Sequence, residues 1–117
     1  MKIRNLPIGL TIIVFGCNTN KNIECNIEKN ITYTNHIAPI IETNCFECHA
    51  PDVYKKKASR NKIFDYKSLK EKAESNLLYG SINHEKGFIA MPYKKGKKID
   101  SCDIQIIKTW IDSGMKE

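Results

Sequence analysis

The sequence lacks several features that would place it in a common class of protein. It contains one C-x-x-C pair and no second one, and its three histidines form no H-x-x-x-H pair, which disfavours a four-ligand zinc site. No segment alternates apolar and polar residues over the length of a strand, so almost no β-sheet is expected. Internal repeats and low-complexity tracts are absent. Aromatic residues are not interleaved with the basic ones, which argues against nucleic-acid binding.

Long hydrophobic runs are also missing, and the apolar run that exists lies near the start of the chain. Residues 6–15 are apolar over about ten positions, which is too short to span a bilayer as a stable helix. Lys2 and Arg4 precede the run, as in the basic region of an export signal. The residues up to Cys17 resemble the lipobox of bacterial lipoproteins, with Phe15 in place of the usual small residue, and imply that Cys17 is lipidated. The alternative is a plain secretory signal that is cleaved nearby.

Export divides the chain into three parts. Residues 1–16 are predicted to be the signal peptide, residues 17–30 a flexible tether, and residues 31–117 a single folded domain. A lipid on Cys17 would hold that domain at a membrane surface, facing the periplasm. Loss of Lys2 and Arg4 leaves 17 of the 19 basic residues against 13 acidic ones, a net charge of +4.

The most specific motif is C-x-x-C-H at residues 45–49, which is the attachment site of a c-type haem. The two thiols add to the two vinyl groups of the porphyrin, and the imidazole that follows reaches the iron from one face. The alternatives are half of a zinc site, whose other ligands are missing, and a thioredoxin-like redox pair, which lacks a βαβ pattern around it. The motif predicts one covalent haem c on Cys45 and Cys48, with His49 as an axial ligand.

Two cysteines remain after lipid and haem are assigned. In an oxidising compartment a leftover pair favours a disulfide. A bond between Cys25 and Cys102 would join the start of the folded domain to the start of the last helix. The alternative is two unpaired thiols.

The pattern of apolar residues predicts a helix through the haem motif. Thr34 or Asn35 caps it, Pro39 lies in its first turn, and residues 50–52 end it. The face that carries the thiols also carries Ile37, Ile40 and Ile41.

Further helices are predicted after a basic loop over residues 54–62. Asp65 caps a short helix, and Ser75 or Asn76 begins another. Residues 84–98 are rich in glycine and lysine and are expected to form a loop. The last helix begins after Asp100 and ends at Gly114. Its apolar stripe consists of Ile104, Ile107 and Ile111, with Trp110 beside it.

This order of elements resembles class I cytochrome c. The similarity covers residues 31–114, and its most specific parts are I-A-P-I-I at 37–41 before the haem motif, A-M-P at 90–92, and W-I-D-S-G at 110–114. The departures are a Lys-rich insert after the motif and a last helix that ends almost with the chain. The resemblance implies an all-α, cytochrome c-like fold of about four helices around the haem, with the first and last helices crossing.

The distal ligand of the iron is expected from the second half of the chain. Met91 lies in a loop before a proline, and its thioether is a soft ligand that raises the reduction potential. The alternatives are His84, on the same loop, and His36, which lies early in the first helix. Met115 follows the last helix and is not favoured. The alternative role for Met91 is to fill the core.

A haem held from both faces indicates an electron carrier rather than an enzyme, with no small-molecule substrate. An acidic redox protein is the expected partner, steered by four lysines beside the Met91 loop. The first alternative is a haem enzyme or sensor with an open sixth site, either peroxidase-like or gas-binding. The second is a haem subunit of a larger respiratory complex. The four lysines are Lys94, Lys95, Lys97 and Lys98.

Overall fold

The computed structural model of the protein describes Gly16 and residues 23–117, and this part of the chain is all-α, as predicted. The predicted signal peptide, apart from Gly16, and Cys17 lie outside the described residues. No strand occurs in the described part. A π-helical segment, Tyr33–Ile37, is followed by five helices rather than about four: α1 (Ala38–His49), α2 (Tyr54–Lys57), α3 (Tyr66–Glu74), α4 (Leu77–Ile82) and α5 (Ser101–Asp112).

The first helical stretch begins slightly earlier than the sequence suggested. Thr32, rather than Thr34 or Asn35, is the capping residue, and its Oγ1 accepts a hydrogen bond from the backbone N–H of Asn35 at 3.3 Å. Thr32 has an extended backbone, which brings its hydroxyl back over the first turn, whereas Thr34 and Asn35 already lie within the helical segment. The N–H of Ile37 donates to the carbonyl of Thr32 at 3.3 Å, and α1 continues from there.

The segment predicted as a basic loop contains the short helix α2. Tyr54, its first residue, packs edge-on against Phe64 with 5.2 Å between ring centroids. Ala58, which follows the helix, is buried. The packing of these two residues stabilises a helical turn that was not predicted, because most of its residues are lysines.

The core lies between the π-helical segment, α1, α3, α4 and α5. Helix α5 packs against the π-helical segment and against α4, and α3 packs against α4. Trp110 is fully buried and completes the core face of α5, whereas Ile111 is only partly buried. The indole N–H of Trp110 donates to the carbonyl of Lys116 at 2.8 Å, so it is satisfied within the protein. The core side chains are Ile31, Ile37, Ile40, Ile41, Leu69, Ala73, Leu78, Ile82, Ile104, Ile107 and Trp110.

Two further links tie α5 to the rest of the domain. Asn44 of α1 donates through Nδ2 to Oδ2 of Asp103 at 3.3 Å. Cys25 and Cys102 form a disulfide with 5.4 Å between their Cα atoms. Ile27 packs against the core, so the domain's contacts begin within the segment predicted as a tether. No helix among the described residues is long and apolar enough to cross a membrane.

Candidate functional site

The residues that the haem motif and the Met91 loop contribute line one cavity of about 650 Å³. Cys45, Cys48 and His49 reach it from α1, and Met91 reaches it from the loop between α4 and α5. The volume is in the range of cofactor sites. Much of the wall is apolar and is formed by Ile63, Leu77, Leu78, Ile82, Phe88, Ile89 and Ile99.

The two thiols of the motif lie one helical turn apart near the end of α1, and both are free. Burial raises the pKa of the Cys45 thiol to about 11, because the surroundings disfavour a thiolate. A thioredoxin-like pair requires the opposite shift, since its attacking cysteine has a lowered pKa. The burial of Cys45 therefore does not fit the attacking cysteine of a redox pair.

His49 is held by a backbone carbonyl. Its Nδ1 lies 2.9 Å from the carbonyl oxygen of Asn61. Because a carbonyl only accepts hydrogen bonds, Nδ1 carries the proton, and Nε2 of the neutral ring keeps a free lone pair. Such a bond orients a ligating histidine and increases its basicity. This acceptor carries no sequence signal, because every residue has a carbonyl.

The turn between α2 and α3 sets the position of that carbonyl. Ser59 and Arg60 both have left-handed backbones, with φ of 49° and 66°. Each such non-glycine residue costs about 1–2 kcal/mol. The N–H of Asn61 donates to the carbonyl of Ala58 at 2.8 Å and closes the turn. Backbone strain is thus stored in the two residues that precede the carbonyl bonded to His49.

Met91 is tied to the end of α4 by its backbone. Its N–H donates to the carbonyl of Ser81 at 3.0 Å, and its own carbonyl accepts from Nε2 of His84 at 2.9 Å. The Met91–Pro92 peptide bond is cis. His84 does not line the cavity, although it lies in the same loop. The structure therefore brings Met91, and not His84, to the haem motif.

The remaining alternatives lie elsewhere. Nδ1 of His36 accepts from the N–H of Thr32 at 3.0 Å, and its Nε2 bonds Glu28 at 3.0 Å. Both ring nitrogens are used outside the cavity, and His36 is not among the cavity residues. Met115 packs against the core, and its carbonyl accepts from the hydroxyl of Tyr66 at 2.8 Å.

Of the four lysines expected to dock a partner, Lys95 lines the cavity, where it forms an ion pair with Glu47 at 3.3 Å. Lys98 donates to Oδ1 of Asn83 at 3.2 Å, and Lys94 lies over the ring of Tyr93. Lys57 and Lys72 also line the cavity, and sequence reasoning missed them because they come from α2 and α3.

A bare metal ion has no site in the part of the chain that the structure describes. No three His, Cys, Asp or Glu side chains come together there in a group that could hold one. The four-ligand zinc site considered from the sequence is therefore not assembled among residues 23–117. Haem iron has a different requirement, because the porphyrin supplies most of its ligands and the protein supplies the axial ones.

No protein-family model, no curated protein and no solved structure matches this chain.

Proposed function

We propose that this protein is a c-type cytochrome of class I that carries electrons through one covalently attached haem. The observation that carries the proposal is the convergence of Cys45, Cys48, His49 and Met91 on one cavity. Met91 is 42 positions after His49 in the chain, and nothing in the local sequence requires the two to meet. The two rival histidines are absent from the same cavity.

The residues fit the group that the motif implies. The free thiols of Cys45 and Cys48 would hold the porphyrin through thioether bonds, and Nε2 of His49 would be the proximal ligand. The thioether of Met91 would be the distal ligand. The bound haem would supply one-electron transfer between its ferrous and ferric states. An apolar wall that includes Leu78, Ile82 and Phe88 would exclude water from it.

The chain's own residues tune this site in two ways. The carbonyl of Asn61, which accepts from Nδ1 of His49, would orient the imidazole and strengthen electron donation from Nε2 to the iron, which favours ferric iron. A neutral, soft thioether such as that of Met91 raises the reduction potential. Because both axial positions would be filled by the protein, no small molecule reaches the iron, and the proposed role is electron transfer rather than catalysis.

We place the protein outside the cytoplasm, at a membrane and facing the periplasm. The support for this is the basic and apolar start of the chain and the lipobox-like residues before Cys17. Haem attachment of this kind takes place after export, so the motif and the signal agree with each other. The disulfide between Cys25 and Cys102 also belongs to an oxidising compartment.

The proposed partner is an acidic redox protein that docks at the mouth of the cavity. Lys57 of α2, Lys72 of α3 and Lys95 of the Met91 loop all line the cavity. Lys97, exposed on the loop beside Met91, adds to the same positive field. Such a field speeds encounters in a salt-dependent way without tight binding.

The test is a set of spectra of the exported, mature protein. We expect the pyridine assay to find one haem that acidified organic solvent does not extract. A low-spin ferric spectrum with a methionine–iron charge-transfer band would support ligation by Met91. A colourless protein would overturn the proposal, and a high-spin protein that binds carbon monoxide readily would favour an open-site enzyme or sensor.

Two methionine variants make the test specific. Met91→Ala removes the proposed distal ligand, so the charge-transfer band should disappear and carbon monoxide should bind to the ferrous protein. Met115→Ala is the matched control, because Met115 contacts the core and not the cavity. If both variants keep the band, Met91 is not the ligand.

A further inference from the structure

His84 has a left-handed backbone conformation, which is unusual for a residue with a large side chain. Its φ is 55°, in the left-handed region that favours glycine and asparagine. It follows directly after α4 and its cap Asn83, and its N–H donates to the carbonyl of Ser81 at 3.3 Å. The left-handed residue turns the chain out of the helix and into the loop that carries Met91.

The imidazole of His84 is bonded to the backbone of Met91. Nε2 of His84 lies 2.9 Å from the Met91 carbonyl oxygen, and a carbonyl accepts only, so Nε2 is the donor. On its other side, the N–H of Met91 donates to the carbonyl of Ser81 at 3.0 Å. Met91 is thus held at both of its backbone polar groups by residues at the end of α4.

Two other contacts hold the rest of this loop: the ring of Phe88 packs against Gly80, and Lys95 forms an ion pair with Glu47 of α1 at 3.3 Å. Exposed residues surround Met91, including Ile89, Ala90 and Tyr93. Lys98 reaches back to Asn83, but it is seven residues further along the chain. The two backbone bonds act on Met91 itself, so their loss would free its side chain to leave the cavity.

We propose that His84 is a positioning residue that fixes Met91 at the haem site through the Met91 carbonyl. This inference rests on the proposed function, because it gives His84 a role toward the proposed distal ligand. His84 itself does not line the cavity, so it acts through Met91 and not as a ligand. Its role depends on a donated hydrogen bond.

The primary test compares two substitutions at the same position. His84→Gly removes the donor without adding strain, because glycine accepts a φ of 55°. His84→Gln restores an N–H donor on a side chain of similar reach. The control is His36→Gln, which replaces another partly buried histidine whose bonds go to Thr32 and Glu28.

Three measurements follow the position of Met91. In His84→Gly we expect the ferric methionine–iron charge-transfer band to weaken, and the ferrous protein to bind carbon monoxide roughly tenfold more tightly. Amide hydrogen exchange at Met91 should become roughly tenfold faster, and this readout does not depend on iron chemistry. His84→Gln should restore all three values most of the way, and His36→Gln should leave them unchanged.

The outcomes separate this inference from the proposed function. A wild-type protein with the band, together with a His84→Gly variant that equals it in all three measurements, overturns the role of His84 alone. A wild-type protein without the band overturns Met91 ligation, and the role of His84 with it. If His84→Gly does not fold, His84→Asn gives the same comparison, because asparagine tolerates a left-handed backbone and its side chain is shorter.

Discussion

Gly80 of α4 lies against the ring of Phe88, so closely that a Cβ atom on Gly80 would be 2.7 Å from three atoms of that ring. Gly80 is buried, and Phe88 lines the cavity. The missing side chain at position 80 therefore makes room for a ring that forms part of the cavity wall. This explains why a residue that weakens helices is found within α4.

Gly80→Ala should destabilise the protein by about 1 kcal/mol. Helix propensity alone predicts a gain of about 1 kcal/mol, but overpacking against a rigid ring costs about 1–3 kcal/mol. Denaturant unfolding measures the net result. In a Phe88→Leu background the ring is gone, and Gly80→Ala should be neutral or stabilising. Equal effects in both backgrounds would show that Phe88 is not the reason for the glycine.

The disulfide between Cys25 and Cys102 should contribute substantially to stability. The two residues are 77 positions apart, and closing a loop of that size in the unfolded chain is worth about 4 kcal/mol in the chain-entropy model. We expect the double variant Cys25→Ser, Cys102→Ser to lose most of that value in denaturant unfolding. Reductant should lower the stability of the wild-type protein and leave the double variant unchanged. A wild-type protein that is as stable with reductant as without it would contradict this prediction.

Asp65 should make stability depend on pH in the acid range. Its carboxylate accepts from Nζ of Lys62 at 2.7 Å and from the N–H of Ser68 at 2.9 Å. These hydrogen bonds lower the pKa of Asp65 below its ordinary value of 3.8, and the bond from Lys62 has the larger effect. A lowered folded pKa adds stability that is present above the unfolded pKa and is lost as the pH falls through the folded one.

Two variants of Asp65 separate its cap from its charge. Asp65→Ala should lose about 1 kcal/mol at pH 7, because the cap of α3 is removed. Asp65→Asn keeps a cap acceptor and should stay closer to the wild type at pH 7. Below pH of about 4 the wild type should lose stability relative to Asp65→Asn, whose side chain does not titrate. A constant difference between these two proteins at all pH values would be inconsistent with the lowered pKa.

Neutralising the lysines of the Met91 loop should slow reduction by an acidic redox protein. We expect the fourfold Lys→Gln variant at positions 94, 95, 97 and 98 to react several-fold more slowly at low salt, with the difference vanishing at high salt. Stopped-flow rates over a series of salt concentrations measure this. The matched control changes the same number of charges on lysines that lie outside the Met91 loop and do not line the cavity: Lys29, Lys67, Lys70 and Lys116. Equal slowing in both variants would mean that net charge, not this surface, governs the rate.

Local signals in the sequence predicted the helix starts that depend on a single side chain. Asp65 and Asp100 cap α3 and α5 as expected, because a carboxylate beside the free N–H groups of a first turn needs no distant partner. The start of the π-helical segment that leads into α1 was misplaced, because several polar residues compete there and only the backbone conformation of Thr32 decides between them. Helix α2 was missed, since its stability depends on Phe64 and a buried Ala58.

The residues of the proposed site also divide into those that a local sequence signal predicts and those that depend on distant contacts. The spacing of Cys45, Cys48 and His49 predicted a haem site and Met91 was the favoured distal ligand; the structure places all four around one cavity, and their role as ligands stays a prediction. The role of Asn61 could not be predicted from the sequence, because it contributes a backbone carbonyl, which a strained turn brings to His49. Its bond to His49 joins residues 12 apart in the chain.

By itself the sequence determined the helical class and the caps of α3 and α5, and its C-x-x-C-H spacing predicted haem attachment at residues 45–49. These properties reside in single side chains or in their spacing along one helix. Only the tertiary structure decided that Met91 faces the same cavity, that His84 bonds the Met91 carbonyl, and that Gly80 makes room for Phe88. Those contacts depend on how the chain returns upon itself, and they include backbone atoms that every residue shares.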